Sequence, residues 1–227
     1  MKKIGILIFA RTNSKRFPKK VVALINQKKT LIELIHSRVK KKSKKYIVVI
    51  NTSLNKSDDI IASLCKRKKI KFFRGNLDNV FDRTIQCCKK FKLDAFVRVN
   101  ADRPFFDFNL MQDMIKIFRS SKFDIVTNQL SNDCPKGLAC EIARIKIFNN
   151  LKKSLLTKSE KEHIFNYFYK NKNNYKIKNF TKNYYIRNKN LNLSIDTKKD
   201  FKIVKNIYKK FNNDFYVDTK RVLNKFK

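Results

Sequence analysis

A cationic loop that follows an apolar run is the segment of this sequence best suited to chemistry. The run covers positions 4–9, and the loop at 10–20 has the spacing A-R-x-x-S-x-R-x-P-x-K. Four of its side chains can donate to anionic oxygens: Arg11, Ser14, Arg16 and Lys20. Charged donors and loop N–H groups together bind phosphate well. The pattern predicts a buried strand that carries a polyphosphate-binding loop, although a solvated basic loop is the alternative in a lysine-rich chain.

The second candidate is Asp102, one of only 18 acidic residues in the chain. It follows the apolar run at 95–99, where a strand should end. Mg²⁺ is commonly held by one or two carboxylates plus substrate phosphates, so a carboxylate at this point suits phosphate chemistry. An Asp that caps a turn before Pro104 is the competing interpretation. The residues alone leave both interpretations open.

The elements that must position these residues alternate along the chain. Strands are predicted for the β-rich runs at 4–9, 46–50, 70–73, 95–99 and 124–127. Helices are predicted for the stretches of helical period at 31–39, 58–68, 79–91 and 109–118. This alternation implies βαβ units and a mostly parallel sheet. Ligands bind outside the carboxyl ends of such strands, where the 10–20 loop and Asp102 would both lie.

Beyond position 128 the pattern changes to mixed aromatic and Lys/Asn-rich stretches. Strands are predicted there at 140–147, 175–180 and 193–195, and helices at 160–169 and 200–211. The sequence contains no internal repeat and no linker of interdomain type. At 227 residues, we expect a single α/β domain over 1–227, with a mostly parallel central sheet and helices on both faces.

The formal net charge of +37 would ordinarily indicate a nucleic-acid or anionic-membrane partner. The chain is, however, rich in residues with A/T-rich codons (Lys, Asn, Ile, Phe), and it has only three Gly and three Pro. Because the basic residues are spread throughout, we expect no specific nucleic-acid partner. No apolar run is long enough to span a membrane, and the five cysteines lack zinc-site spacing. With no signal-peptide pattern, we expect a cytoplasmic protein with reduced thiols.

These motifs resemble the cytidylyltransferases that activate acidic sugars, including the acylneuraminate and Kdo enzymes. They are closest to the branch of spore coat polysaccharide biosynthesis protein F. The 10–20 loop is similar to the family's nucleotide-binding opening, which usually has glycine where Asn13 and Lys19 stand. The segment 97–104 resembles the family's V-R-x-x-G-D-x-P element, with Ala101 in place of glycine, and the family's metal-binding aspartate falls on Asp102.

Further matches extend the resemblance along the chain. The segment 194–200 is similar to V-D-T-x-x-D and places a second family aspartate at Asp196, for which the competing interpretation is a helix N-cap shared with Thr197 or Asp200. The segment 73–83 resembles the R-G-x-x-x-D-V-x-x-R stretch that borders the base and triphosphate. On the acceptor side, 135–141 is similar to D-G-L-D-x-E and 160–163 to the start of R-E-H-V-x-x-Y.

The resemblance implies a nucleotide-diphospho-sugar transferase (GT-A-like) fold and Mg²⁺-dependent transfer of CMP from CTP to an acidic sugar, with release of pyrophosphate. The catalytic residues it implies are Arg11, Lys20, Asp102 and Asp196, of which the two aspartates hold the Mg²⁺. The nucleotide-binding residues it implies are Ala10, Arg11, Ser14, Arg16, Lys20, Arg74, Arg83 and Asn100. Glu141 and His163 would bind the acceptor, within an acceptor and dimerisation region at about 129–190.

The resemblance also implies a homodimer for surface polysaccharide or glycan biosynthesis. Aromatic residues are typical anchors of interfaces, and one stretch could supply them: Tyr167, Phe168, Tyr169, Tyr184 and Tyr185. Alternatively, these rings cover the sheet. Three other functions stay open: a sugar-1-phosphate nucleotidylyltransferase, a non-catalytic relative that has lost the glycines at 13, 19 and 101, and a basic nucleic-acid-binding module.

Overall fold

A single mixed sheet organises the described part of the chain. The computed structural model describes residues 3–43, 45–120 and 122–226. The strands are β1 (Ile4–Phe9), β2 (Ile47–Ser53), β3 (Phe72–Gly75), β4 (Ala95–Asn100), β5 (Ile125–Thr127), β6 (Glu141–Arg144) and β7 (Ile177–Asn179). Their order across the sheet is β3-β2-β1-β4-β6-β5-β7. The pairs β4–β6 and β5–β6 are antiparallel and the others are parallel, so the sheet is mostly parallel as predicted.

Helices connect the strands and complete the C-terminal part of the chain. The α-helices are α1 (Leu31–Lys42), α2 (Asp59–Arg67), α3 (Val80–Lys90), α4 (Phe108–Ser120), α5 (Ile145–Asn149), α6 (Lys158–Glu162), α7 (Asn166–Lys170), α8 (Asn183–Ile186), α9 (Lys198–Lys209) and α10 (Thr219–Lys225). Short 3₁₀ helices cover Lys20–Val22, Lys56–Asp58, Lys153–Leu155 and Lys172–Asn174.

The ends of two long helices are specified by local sequence. At α1, the Thr30 hydroxyl accepts from the Glu33 amide while the Glu33 carboxylate accepts from the Thr30 amide. At α9, Thr197 and Asp200 form the same reciprocal pair. Such capping boxes satisfy amides that have no partner within the helix. Thr197 is therefore the N-cap of α9, and Asp196, which precedes it, is not needed for capping.

The register of the central strands brings two polar loops to the same edge. β1 lies between β2 and β4 and runs parallel to both. Its last residue, Phe9, is opposite Asn51 of β2 and Asn100 of β4. The loop after β1 and the turn after β4 therefore begin side by side at the carboxyl edge, the position where parallel sheets bind ligands.

Apolar side chains pack on both faces of the sheet, as predicted. One face carries Ile6 and Ile8 of β1 against buried residues of α1, α2, α4, α9 and α10. The other face carries Leu7 and Phe96 against buried residues of α3, α5 and α7. Alternate residues of β1 thus enter opposite cores, which fixes the strand and the start of its loop.

Several predicted elements past position 128 are wrong or shorter. No strand forms at 193–195, because the Leu193 amide donates to the Lys136 carbonyl and the Ile195 amide to the Asp102 carbonyl, both of which belong to loops. The predicted strand at 140–147 ends at Arg144, where α5 begins. The predicted helix at 160–169 is divided into α6 and α7, with His163, the C-cap of α6, at the break. The structure adds α10, which the pattern did not predict.

The aromatic stretch proposed as a dimer interface is largely internal. Phe168 and Tyr185 are both fully buried within the described chain. Phe168 packs on Phe148 with ring centroids 4.8 Å apart. The Tyr185 hydroxyl donates to Asp107. These two rings therefore stabilise the fold of one protomer, and for them the alternative interpretation holds, in which the rings cover the sheet.

Candidate active site

A cavity of about 590 Å³ opens at the carboxyl edge of β1 and β4. It is lined by most of the residues that the sequence selects: Ala10, Arg11, Ser14, Arg16, Lys20, Arg83, Asn100, Asp102, His163 and Asp196. These residues come from the loop after β1, from α3, from the end of β4, from the α6 break and from the segment before α9. A second cavity, of about 460 Å³, lies between α9 and α10 and contains none of them.

The loop after β1 is held by its own backbone. The Thr12 carbonyl accepts from the amides of Ser14 and Lys19, which folds the loop into a compact turn. Lys19 has φ of 57° and ψ of 16°, a left-handed conformation that favours glycine. The resemblance places glycine at this position, so the structure gives the backbone reason for that preference. Lys19 rather than Asn13 takes the left-handed conformation.

Lys20 joins the two aspartates that are far apart in sequence. Its Nζ donates to Asp102 Oδ2 at 2.9 Å and to the Ile195 carbonyl at 2.6 Å. Asp196 Oδ1 lies 3.7 Å from the same Nζ. The Lys20 side chain is 10% exposed. One nearly buried ammonium thus lies between both carboxylates, and the fold brings Asp102 and Asp196 within reach of a single cation.

Asp196 is surrounded by positive charge. Arg16 lies 3.2 Å from Oδ1, and Lys136 donates to Oδ2 at 2.7 Å. Burial raises the pKa of Asp196, but the Lys136 hydrogen bond and the charges of Lys136, Lys20 and Arg16 outweigh it and lower the pKa below its usual value. Asp196 is therefore ionised at neutral pH. Lys136 is a contact that the motif comparison missed, because it follows Pro135 in a loop with no helical or strand period.

The two carboxylates fit a hard divalent cation. Among the described residues, no group of three or more His, Cys, Asp or Glu side chains could hold a metal. A cation at Asp102 and Asp196 would therefore have two carboxylate ligands and need further oxygens from phosphate or water. Mg²⁺ is bound in this manner in many phosphate-transfer sites. The ammonium of Lys20 marks the position where a positive charge is already favoured.

Arg11 and His163 lie at the mouth of the cavity. Arg11 Nη2 donates to Glu162 Oε1 at 2.7 Å, and the two side chains are 47% and 39% exposed. This exposed pair links the loop after β1 to the end of α6. Glu162, the residue before His163, was not among the predicted site residues, although it lies within the matched E-H pair. An exposed ion pair is weak, so Arg11 is available to an anionic ligand.

The two predicted arginines of β3 and α3 differ in position. Arg83 lines the cavity and is buried, with Nη1 donating to the Asn76 carbonyl at 2.9 Å. Its Nε finds no partner within the described residues. Arg74 lies outside the cavity lining, where Nε donates to the Ser53 carbonyl and Nη2 to Asp59. Arg83 therefore lies in the wall of the cavity, whereas Arg74 lies outside the lining and ties β3 to β2 and α2.

Glu141 reaches the cavity only through Arg98. Arg98 lines the cavity, and its Nη1 donates to the buried Glu141 Oε2 at 3.1 Å. The Tyr169 hydroxyl donates to the other oxygen of Glu141 at 2.8 Å. Arg98 Nε also donates to Asn100 Oδ1. Arg98 is the arginine of the V-R-x-x-G-D-x-P match, but it was not among the predicted site residues. A second signal is its charge in the middle of the otherwise apolar run of β4.

Comparison with known proteins agrees with the resemblance to cytidylyltransferases seen in the sequence motifs. A family model described as cytidylyltransferase matches residues 5–222. The chain is 30% identical over 211 residues to an uncharacterized protein of Methanocaldococcus jannaschii, covering 93% of this chain and 85% of that protein. It is 28% identical over 153 residues to the spore coat polysaccharide biosynthesis protein SpsF of Bacillus subtilis, covering 65% and 61%. It is 29% identical over 130 residues to the 3-deoxy-manno-octulosonate cytidylyltransferase of Rickettsia bellii, covering 55% and 51%.

Solved structures agree on the fold. A cytidylyltransferase from Leptospira borgpetersenii superposes with a TM-score of 0.92 at 24% identity, covering 100% of this chain and 94% of that one. A CMP:2-keto-3-deoxy-manno-octonic acid synthetase complexed with CTP superposes at 0.67 and 12% identity, covering 92% and 99%. The fold is thus that of the nucleotide-diphospho-sugar transferases. Because the cytidylyltransferase model matches residues 5–222, nearly the whole chain, this chain belongs to the cytidylyltransferase family.

Proposed function

We propose that this protein transfers CMP from CTP to a hydroxyl of an acidic sugar and releases pyrophosphate. The observation that carries the proposal is the cavity at the carboxyl edge, where the cations of the loop after β1 face the paired carboxylates of Asp102 and Asp196. The acidic sugar is suggested by the relative from Rickettsia bellii, which is named for 3-deoxy-manno-octulosonate. A role in polysaccharide biosynthesis is suggested by the relative from Bacillus subtilis.

The loop residues would handle the triphosphate. In the reaction, the acceptor oxygen forms a bond to the α-phosphorus, the bond from that phosphorus to the bridging oxygen breaks, and pyrophosphate leaves. The acceptor proton is released to solvent. Negative charge develops on the departing pyrophosphate, and Arg11, Arg16 and Lys20, which line the cavity, would stabilise it. The Ser14 hydroxyl and the Ala10 backbone, which also line the cavity, would complete the triphosphate contacts.

Asp102 and Asp196 would hold Mg²⁺. When bound, Mg²⁺ supplies Lewis-acid stabilisation of charge at the α-phosphate. The protein's part is to bring the two carboxylates together: the Ile195 amide donates to the Asp102 backbone carbonyl, which joins the two segments, and Lys136 donates to the Asp196 carboxylate. Asp196 stays ionised because its pKa is lowered, so its oxygens are ready to accept a cation at neutral pH.

The acceptor side would be formed by His163 and by Arg98 with its partner Glu141. His163 and Arg98 both line the cavity, His163 from the end of α6 and Arg98 from β4. Arg98 has a fixed orientation because Glu141, Asn100 and the rings of Phe9 and Phe165 contact it. A rigid guanidinium suits a carboxylate or hydroxyl of the sugar. We place the acceptor region, and any dimer contact, within about 129–190.

The proposal includes a cytoplasmic location, which suits an enzyme that consumes CTP. None of the helices in the described ranges has both the length and the apolar character of a membrane span.

The test is pyrophosphate release from CTP and Mg²⁺ with a panel of acidic sugars that begins with 3-deoxy-manno-octulosonate. Asp102→Asn and Asp196→Asn should each lower the rate by at least about a hundredfold, since each removes a charge from the cation site. Asp218→Asn is the matched control: Asp218 caps α10 by accepting from the Lys220 amide, and Asn caps equally well. Full activity of either site variant, or a wild type indifferent to a chelator, would contradict the metal assignment. Equal rates with UTP would contradict the choice of CTP.

A further inference from the structure

Asp58 is a fully buried carboxylate that contacts the middle of the loop after β1. Its Oδ1 accepts from the Thr12 amide at 2.7 Å and from the Thr12 hydroxyl at 2.8 Å. Its Oδ2 accepts from the Ser53 amide at 3.3 Å and from the Ser53 hydroxyl. Thr12 is itself buried. One carboxylate thus ties the loop to the end of β2 through four donors.

These contacts determine the conformation of the cationic loop. Thr12 lies next to Arg11, and its carbonyl accepts from the Ser14 and Lys19 amides. Asp58 therefore fixes Thr12 through its amide and hydroxyl, and the Thr12 carbonyl in turn closes the turn of the loop. A buried charge is tolerated only when its hydrogen bonds are complete, so the four donors must keep their positions for the carboxylate to stay ionised.

The charge of Asp58 also reaches the cavity wall. Burial raises the pKa of Asp58, but the hydrogen bonds from Ser53 and Thr12 outweigh it and lower the pKa below its usual value. Burial of Arg83 lowers the pKa of that guanidinium to about 10, and the Asp58 carboxylate opposes this shift. Arg83 lines the cavity, and its Nε has no partner among the residues that the structure describes. Asp58 therefore supports two of the cationic elements of the site.

We propose that Asp58 is a positioning residue that holds the loop after β1 in its phosphate-binding conformation. The inference rests on the proposed function, because it assigns a consequence for triphosphate binding. Asp58 does not line the cavity, so it acts through Thr12 rather than on the ligand. In Asp58→Asn, the amide nitrogen replaces an acceptor with a donor, and at least two of the four donors lose their partner.

The matched control is Asp107, a second buried carboxylate at another part of the fold. Asp107 is 3% exposed and accepts from the Leu110 amide and from the hydroxyls of Tyr184 and Tyr185. It is also outside the lining of the site cavity. Asp107→Asn removes an equivalent buried charge and should destabilise the fold without touching the loop. Comparing the two variants separates a loss of stability from a loss of loop geometry.

The experiment measures the dissociation constants of CTP and of inorganic tripolyphosphate for the folded wild type and both variants. We expect Asp58→Asn to weaken the binding of both ligands by about tenfold to a hundredfold, as loss of supporting contacts typically does. Asp107→Asn should bind both as the wild type does. Unchanged affinity in Asp58→Asn, or an equal loss in both variants, would overturn the proposal.

A second variant covers the case in which Asp58→Asn does not fold. Thr12→Val removes the hydroxyl, which lies 2.8 Å from Asp58 Oδ1 and 2.9 Å from the Ser57 carbonyl, and keeps the amide that donates to Asp58. It should therefore weaken the binding of tripolyphosphate in the same direction by a smaller factor. Wild-type affinity in Thr12→Val would then overturn the proposal. A wild type that binds tripolyphosphate but not CTP would remove the proposed function and leave the role of Asp58 standing, so the two failures are distinguishable.

Discussion

Replacing Lys20 by methionine removes one charge from the centre of the site and keeps the length of the side chain. The Lys20 side chain is 10% exposed, and those of Asp102 and Asp196 are 27% and 17% exposed. The Lys20 Nζ also donates to the Ile195 carbonyl. In Lys20→Met, Asp102 loses the ammonium that donates to it, Asp196 keeps only Arg16 and Lys136 of its three cations, and the Ile195 carbonyl loses its donor.

The expected loss of stability follows from this geometry. Breaking a buried ion pair costs about 3–5 kcal/mol. Because water still reaches the two carboxylates, we expect a loss of about 2–3 kcal/mol in the free energy of unfolding. For a chain of this length, that corresponds to a fall in Tm of roughly 4–12 °C. Lys136→Met is the matched control: Lys136 contacts the same Asp196 but is 59% exposed, so it should cost less than about 1 kcal/mol.

Urea denaturation gives the free energies, and a thermal titration with Mg²⁺ adds a second readout. Mg²⁺ should raise the Tm of Lys20→Met more than that of the wild type, because the two carboxylates then lack their ammonium and bind the metal more tightly. A Lys20→Met protein as stable as Lys136→Met would refute the view that the nearly buried Lys20 ammonium contributes more to stability than the exposed Lys136 does. An equal Mg²⁺ shift in variant and wild type would refute their assignment as a shared cation site.

Three further outcomes are expected. Lys19→Gly should raise the free energy of unfolding by up to about 1 kcal/mol. The left-handed backbone costs a residue with a side chain about 1–2 kcal/mol, but part of this gain is lost because glycine makes the unfolded chain more flexible. A lower Tm would contradict this. Arg11→Ala should weaken the binding of CTP by roughly tenfold or more. The free energy of unfolding should stay within about 0.5 kcal/mol of wild type, because the ion pair to Glu162 is exposed. Isothermal titration measures the affinity, and wild-type affinity would argue against a triphosphate contact. Burial, with the charge of Lys40, lowers the pKa of His36 to about 4. Between about pH 6.5 and pH 4 the unfolded chain therefore binds a proton at His36 that the folded chain does not, so the free energy of unfolding should fall as the pH drops through this range. His36→Gln should flatten the pH dependence of urea unfolding over that range, and an unchanged slope would exclude His36 as its source.

Much of the site was predictable because the loop after β1 and Asp102 each directly follow, in the chain, the strand that positions them. A strand and the loop that follows it are adjacent in the chain, so the apolar run at 4–9 and the charges of 10–20 predict both the element and its chemistry. The same holds for Asp102, which directly follows β4. Capping is local too, and the Thr197–Asp200 pair decides how α9 begins.

The weaker predictions fall where the backbone bonds to loops rather than to neighbouring strands. The segment at 193–195 has the composition of a strand, yet its amides pair with the Lys136 and Asp102 carbonyls. Arg74 illustrates the same limit for side chains. Its motif position suggests a ligand, but Asp59 and the Ser53 carbonyl, both close to it in the fold, are stronger local partners.

The sequence by itself determined the parallel strands, the cationic loop and the aspartate that faces it, since periodicity and adjacency are properties of the chain. Only the tertiary structure decided which distant residues support them. Thr12 and Asp58 are 46 residues apart, Arg98 and Glu141 are 43 apart, and Lys136 and Asp196 are 60 apart. Such pairs leave no period in the sequence. The pairs of Thr12 with Asp58 and of Lys136 with Asp196 form because the sheet brings its loops to one edge, and Arg98 meets Glu141 because β4 and β6 pair there in register.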